Sequence, residues 1–206
     1  MVVPEGGGVP AVLVLHAWWG LNSFFKKFCE RLAESGFVVL APDLYHGEVT
    51  STIIGAKRLR STQRKPAVER ELVGGVDYLR QAVATNEGRI GVLGFSMGAN
   101  LALWLSTLRP KDVAAVVAFY GTRKENYGGA KAAFLGHFAE YDEYEPLGEV
   151  EELEKAIKSA GCRVTFHVYS KAQHWFFEEN RPSTYDRRAA KLAWRRTVSF
   201  LHNYLD

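Results

Sequence analysis

Two cysteines and two methionines occur in 206 residues, and no apolar stretch runs long. Each shortage excludes something. Cys29 and Cys162 lie far apart in no metal-ligand spacing, which argues against a zinc site built on thiolates. The longest apolar runs, around 11–19 and 113–120, fall well short of the roughly 18 residues that a membrane span needs. Charge of one sign is also scarce. The 26 Lys and Arg against 23 Asp and Glu leave a net charge of +3, a mild excess that gives no reason to expect a nucleic-acid partner. The opening residues Met1-Val-Val-Pro-Glu-Gly-Gly-Gly carry neither a basic leader nor a small-residue cleavage site, so a cytoplasmic protein with reduced thiols is expected. No internal repeat, low-complexity segment or Pro/Ser-rich linker divides the chain, and residues 1–206 read as one domain.

What is present suits a packed core. With 47% hydrophobic residues and near-balanced charge, the chain can bury enough surface to offset its conformational entropy. Short β-branched runs at 11–16, 37–41, 89–94, 113–119, 131–137 and 164–169 read as strands, and their continuous rather than alternating apolar character suits a parallel sheet covered on both faces. Helical patterns lie between them at 23–35, 66–84, 97–108, 149–159 and 184–204. Gly36 and Gly161 follow two of these as stops, Pro66 suits a first turn, and Ser183 with Asp186 makes a capping-box-like start for the last. On that last helix Ala189, Ala190, Ala193, Phe200, Leu201 and Tyr204 recur at helical spacing and are expected to face the sheet. The alternation predicts a doubly wound α/β sheet, in which ligands bind beyond the carboxyl ends of the strands.

Gly94-Phe95-Ser96-Met97-Gly98 follows one strand and opens a helix, the setting that a G-x-S-x-G nucleophile elbow requires. A serine on so tight a turn takes a strained backbone, and the flanking glycines remove side chains that would collide. The competing interpretation is an ordinary strand-to-helix turn with a capping serine. A serine hydroxyl is a weak nucleophile until a histidine and an acid activate it, and in this fold the chain order is Ser, then Asp or Glu, then His. His174 follows the last strand and fits. His16, His46, His137, His167 and His202 sit on other strand ends, inside a strand or on the terminal helix, and read as core or surface histidines. The acid comes from Glu140, Asp142, Glu143 or Glu145. Asp142, four residues before Pro146, is best placed to turn a short carboxylate toward an imidazole, and its neighbours read as a solvated acidic loop.

His16-Ala-Trp-Trp-Gly-Leu-Asn22, Ala41-Pro-Asp-Leu-Tyr-His-Gly47, Gly94-Phe-Ser-Met-Gly98 and Asp142 through Pro146, in this order, resemble the dienelactone hydrolase family of α/β-hydrolases. The segment from His174 to Leu201 resembles the family's ending. The resemblance implies an α/β-hydrolase fold, the triad Ser96, Asp142 and His174, and an oxyanion hole from the backbone N–H groups of Met97 and Trp18. Three positions depart from the founding members: Ser96 replaces their cysteine, Ala17 their glutamate before the aromatic pair, and Glu178 an arginine that holds the substrate carboxylate. The first two changes agree, since a neutral serine needs no carboxylate to control its protonation. A glutamate at 178 is expected to repel an anionic lactone, which points to neutral or cationic esters.

Trp18, Tyr120 and Trp175 are the expected lining of the substrate site. A basic cluster at Lys57, Arg58, Arg60, Arg64 and Lys65 reads either as a pocket rim or as a solvated helix face. The expected reaction is two-step acyl transfer to water on a small-molecule ester or lactone, with no metal or organic cofactor, by a monomer or weak homo-oligomer. Thioester or small-peptide hydrolysis would use the same triad, and a catalytically silent binding protein would be expected to have lost a member of it.

Overall fold

The structure, a computed structural model, describes residues 9–82 and 89–206. The expected end of the second long helix at Ala84 and the opening segment Met1 to Gly8 lie outside these. Six parallel strands form one sheet in the order β2-β1-β3-β4-β5-β6. They are β1 (Ala11–Leu15), β2 (Val38–Leu40), β3 (Ile90–Phe95), β4 (Val113–Phe119), β5 (Ala133–Tyr141) and β6 (Val164–Gln173). Among the described residues, six helices connect or follow them: α1 (Ser23–Glu34), α2 (Ile53–Thr62), α3 (Lys65–Ala82), α4 (Met97–Leu108), α5 (Leu147–Ser159) and α6 (Arg187–Leu205).

The sheet is sandwiched. Phe25, Phe28 and Leu32 of α1 join Ala190, Ala193 and Leu201 of α6 over Val12, Val14, Leu93 and Phe95 on one face. Leu72 and Val76 of α3, Leu101 and Leu105 of α4 and Leu153 and Ile157 of α5 cover Leu13, Val92 and Phe134 on the other. Each fully buried Leu, Val or Phe contributes about 1.5–3 kcal/mol before chain entropy is subtracted, so the apolar runs seen in the sequence are the main stabilising term. The chain winds from β1 outward to β2, then returns past β1 to β3, so the topology reverses between β1 and β3. In open α/β sheets that switch point opens a crevice beyond the strands' carboxyl ends, and the loop after β1 and the turn after β3 meet there.

Differences from the sequence expectations are local. Helix α2 lies in the stretch expected as a connection; it buries only Ala56 and Leu59, too few for an apolar stripe to register. The last helix starts later than expected: Asp186 is its N-cap and accepts from the N–H groups of Arg188 and Ala189, with no capping box from Ser183. Strands β5 and β6 run on to Tyr141 and Gln173, carrying their ends up to the acid turn and to His174. Gly36 and Gly161 do end helices in the left-handed region, at φ 96° and 76°.

Candidate active site

Ser96 sits between β3 and α4 at φ 51°, ψ −113°, a conformation that costs an L-residue on the order of 1–3 kcal/mol. The two glycines explain how the turn closes. A Cβ on Gly94 would collide with the carbonyl of Gly98, and one on Gly98 with the carbonyls of Leu15 and His16 at the end of β1. The helix therefore starts hard against the β1 loop. Although Ser96 is the N-cap of α4, its side chain makes no capping bond, so the alternative of a capping serine does not hold.

The hydroxyl is committed elsewhere. Ser96 Oγ lies 2.9 Å from His174 Nε2, and His174 Nδ1 lies 2.7 and 2.9 Å from the two oxygens of Asp142. With the ring proton on Nδ1, the imidazole donates to the carboxylate and accepts from the serine. The His174 and Asp142 side chains are 4% and 2% exposed, and Ser96 at the front is half-buried. Asp142 is itself held: Oδ1 accepts from the N–H groups of Tyr144 and Glu145 at 2.9 and 3.0 Å. The three residues that chain order and position single out are thus brought together.

Of the expected lining residues, Trp175 borders a cavity of about 500 Å³ with Tyr141, Asp142, Glu143, Tyr144, Gln173, His174 and Thr184. Trp18 stacks on Trp175 with ring centroids 6.4 Å apart. Tyr120 needs correction. It is fully buried, its ring lies 5.0 Å from that of His174 and its hydroxyl donates to Glu178 at 3.0 Å, so it supports the histidine from behind instead of lining the cavity. Burial and the Glu178 charge push its phenol well above the ordinary value.

Glu178 needs correction too. Its side chain is 0% exposed and faces inward, accepting from Tyr120 and standing 3.5 Å from Arg181, so it presents no charge to a substrate. Burial pushes its carboxyl up to about 7 against the pull of Arg181 and Tyr120. Arg181 in turn lies over Trp19, 3.2 Å from the ring centroid. Among the residues lining the cavity, Asp142 and Glu143 are the carboxylates, and no Lys or Arg is present.

Tyr144 was not among the expected lining residues. It packs on His174, Trp175 and Trp18, at 4.9, 5.2 and 5.8 Å between ring centroids. Its place between Asp142 and Pro146 was the available signal. Glu145 is not part of a solvated loop, since it accepts from Thr122, whereas Glu140 faces solvent at the end of β5, where it accepts from Ser170 Oγ and the Lys171 N–H across the β5–β6 irregularity. The basic residues Lys57, Arg58, Arg60, Arg64 and Lys65 are all exposed on α2 and the start of α3, where Arg58 pairs with Glu48, and none borders the cavity beside His174. The remaining histidines have structural partners. His16 bridges the Ala17 carbonyl and the Leu44 N–H, His137 bonds Tyr169 and Thr197, and His202 bonds the Ser35 carbonyl. Among the described residues, no group of three or more His, Cys, Asp or Glu side chains is placed to hold a metal ion, and no helix is long and apolar enough to cross a membrane.

The family model of the dienelactone hydrolase family matches residues 1–205. The chain belongs to that family. As a dienelactone hydrolase family member it is a hydrolase. Protein usf of Aquifex pyrophilus is 34% identical, with 100% of this chain and 92% of that protein covered. An Aquifex aeolicus protein, whose name places it provisionally among the carboxymethylenebutenolidases, is 33% identical over the same shares. Among solved structures, a dienelactone hydrolase-like promiscuous phosphotriesterase from metagenomic libraries has the same fold, with a TM-score of 0.87 at 19% identity over 98% of this chain and 89% of that one.

Proposed function

We propose that this dienelactone hydrolase family member is a serine hydrolase that cleaves a carboxylic ester or lactone through an acyl-enzyme on Ser96. The observation that carries the reading is the unbroken line of hydrogen bonds from Asp142 through His174 to Ser96. In the first step Ser96 Oγ attacks the carbonyl carbon while His174 Nε2 takes the hydroxyl proton. Asp142 fixes the ring tautomer and faces the imidazolium with a negative charge. The backbone N–H groups of Met97 and Trp18 are assigned to the oxyanion. Support for that pair is positional: Met97 opens α4, where first-turn N–H groups lack helical partners, and the close approach of Gly98 to the end of β1 sets the Trp18 loop beside it. His174 then returns the proton to the leaving alkoxide, and a water deprotonated by the same nitrogen releases the acid.

The cavity beside His174, walled by Tyr141, Tyr144 and Trp175, suits an apolar or aromatic group of a neutral or cationic ester. The reading takes the chain as one catalytic domain acting on a small molecule, in keeping with its single six-stranded sheet, and calls on no cofactor. It is tested by steady-state kinetics on matched ester, thioester and amide substrates with wild type and Ser96→Ala. Ester turnover exceeding that of the amide and lost in the variant is the expected result. Ester turnover retained by pure Ser96→Ala removes Ser96 from the role.

A further inference from the structure

Three elements that carry the site have no covalent proximity, yet they meet at one residue. Thr122 follows β4, and its neighbour Gly121 presses so closely on the elbow that a Cβ there would run into the Ser96 carbonyl and Ala99. The Thr122 carbonyl accepts from Asn100 Nδ2 of α4 at 2.8 Å, and Asn100 Oδ1 accepts from Arg123 at 2.9 Å. The Thr122 N–H and Oγ–H both donate to Glu145 Oε2, at 2.9 and 2.5 Å. Glu145 in turn supplies one of the two backbone N–H groups that hold Asp142 Oδ1. We infer that Glu145 is a positioning residue for the acid: its side chain fastens the Asp142 turn to the scaffold of the nucleophile elbow while its backbone aims the Asp142 carboxylate.

The chemistry of the position favours a tie over a charge. Burial pushes the Glu145 carboxyl up to about 7, with Asp142 and Glu149 adding repulsion and only the Thr122 donors opposing it. The charged groups around this knot are Asp142, Glu149 and Arg123, and Arg123 is engaged by Glu125 and Asn100. A carboxylate held beside the triad acid is a poor arrangement electrostatically, so its retention there is explained by the paired acceptance from Thr122. A glutamine oxygen accepts the same two bonds. Tyr144, which packs on His174, lies within the turn that Glu145 pins, so loosening the turn displaces both the acid and one wall of the cavity.

The inference rests on Asp142 being the triad acid, and the experiment separates the two. Hydrolysis of p-nitrophenyl acetate is measured for Glu145→Ala, Glu145→Gln, Thr122→Val and Asp142→Ala, and for Glu145→Ala combined with Asp142→Ala. Glu145→Ala is expected to lower kcat by about 10–100-fold with KM changed less than about twofold, as small misplacements of catalytic groups do. Glu145→Gln is expected to restore kcat to within about threefold, and Thr122→Val, which keeps the side-chain shape, to lose about 3–10-fold. In the Asp142→Ala background the Glu145→Ala penalty is expected to shrink to less than about twofold. Wild-type kcat in both Glu145→Ala and Thr122→Val, with Asp142→Ala strongly impaired, overturns the inference and leaves the triad standing. Equal losses in the Ala and Gln variants overturn it in favour of a role for the charge. An Asp142→Ala enzyme with full activity overturns the triad assignment and this inference together.

Discussion

Two of the buried histidines near the carboxyl end of the same sheet, His137 and His174, have both ring nitrogens engaged, and only one of this pair stands before a carboxylate. His137, within β5, bonds the Tyr169 hydroxyl at 2.9 Å and Thr197 Oγ at 3.0 Å. His174, just past β6, bonds a carboxylate at 2.7 Å and the Ser96 hydroxyl at 2.9 Å. A serine or threonine oxygen is therefore common to both. The difference lies on the other nitrogen. An imidazolium at 137 would face a neutral phenol, the His167 ring and the Arg196 guanidinium, and complete burial with those neighbours holds its ring well below the ordinary histidine value. An imidazolium at 174 would face Asp142. Position adds the rest: His137 is sealed under α6, whereas His174 borders a cavity of about 500 Å³. A hydroxyl–histidine pair becomes a nucleophile and base only when a fixed negative charge stands behind the ring and substrate can reach the front.

The contrast can be broken most sharply by removing each ring in turn. His174→Ala is expected to lower kcat/KM by about 10⁴-fold or more, and His137→Leu to leave it within about tenfold, in steady-state ester assays. Asp142→Asn should cost about 10³–10⁴-fold, because an amide neither selects the reactive tautomer nor balances the imidazolium. Stability should show the reverse order. His137→Leu strands the buried Thr197 hydroxyl and leaves that of Tyr169 with Arg196 alone, and is expected to destabilise the fold by about 2–4 kcal/mol in thermal or denaturant unfolding, more than His174→Ala beside the cavity.

Titration sharpens the comparison further. His137 binds its proton less well folded than unfolded, so its contribution to stability is present above about pH 6.5 and is lost as pH falls below that value. Glu178 has the opposite sign. With its folded carboxyl up at about 7, the native state holds the proton longer, and stability falls as pH rises from about 4.5 through 7, by on the order of 3 kcal/mol. Unfolding midpoints measured from pH 4 to 8 should therefore show a smaller alkaline decline in Glu178→Gln, the raised Glu145 carboxyl supplying the rest, and a smaller acid decline in His137→Leu, where buried His16 still contributes. The smallest effect belongs to the exposed basic helix. Arg58→Ala breaks only the surface pair with Glu48 and should change stability by less than about 0.5 kcal/mol and leave kcat unchanged.

What could be read from the residues alone divides along the same physical line. The elbow, its strand-to-helix setting and the order Ser96, Asp142, His174 are local patterns whose meaning is fixed by chain geometry, and the structure brings those side chains within hydrogen-bonding distance. Contacts between distant segments were not legible. Nothing local to Glu145 announces that it reaches Thr122, nor does Glu140 reveal Ser170 and Lys171 across a strand irregularity. Glu178 and Tyr120 were expected at the substrate because of their positions after His174 and β4. Instead they turn inward and satisfy one another, a choice made by packing around Phe119 and Phe176. Helix α2 escaped because two buried residues make no stripe, while α1, with six, was plain.

The central claim is that burial between Asp142 and Ser96 makes His174 a base and Ser96 its nucleophile. Mass spectrometry of protein treated with a fluorophosphonate tests it most directly. The account predicts one adduct, on the peptide containing Ser96, absent in Ser96→Ala and formed at least about a hundredfold more slowly in His174→Ala. An unlabelled wild-type protein, or labelling that leaves Ser96 free or proceeds at the same rate without the His174 imidazole, would contradict it.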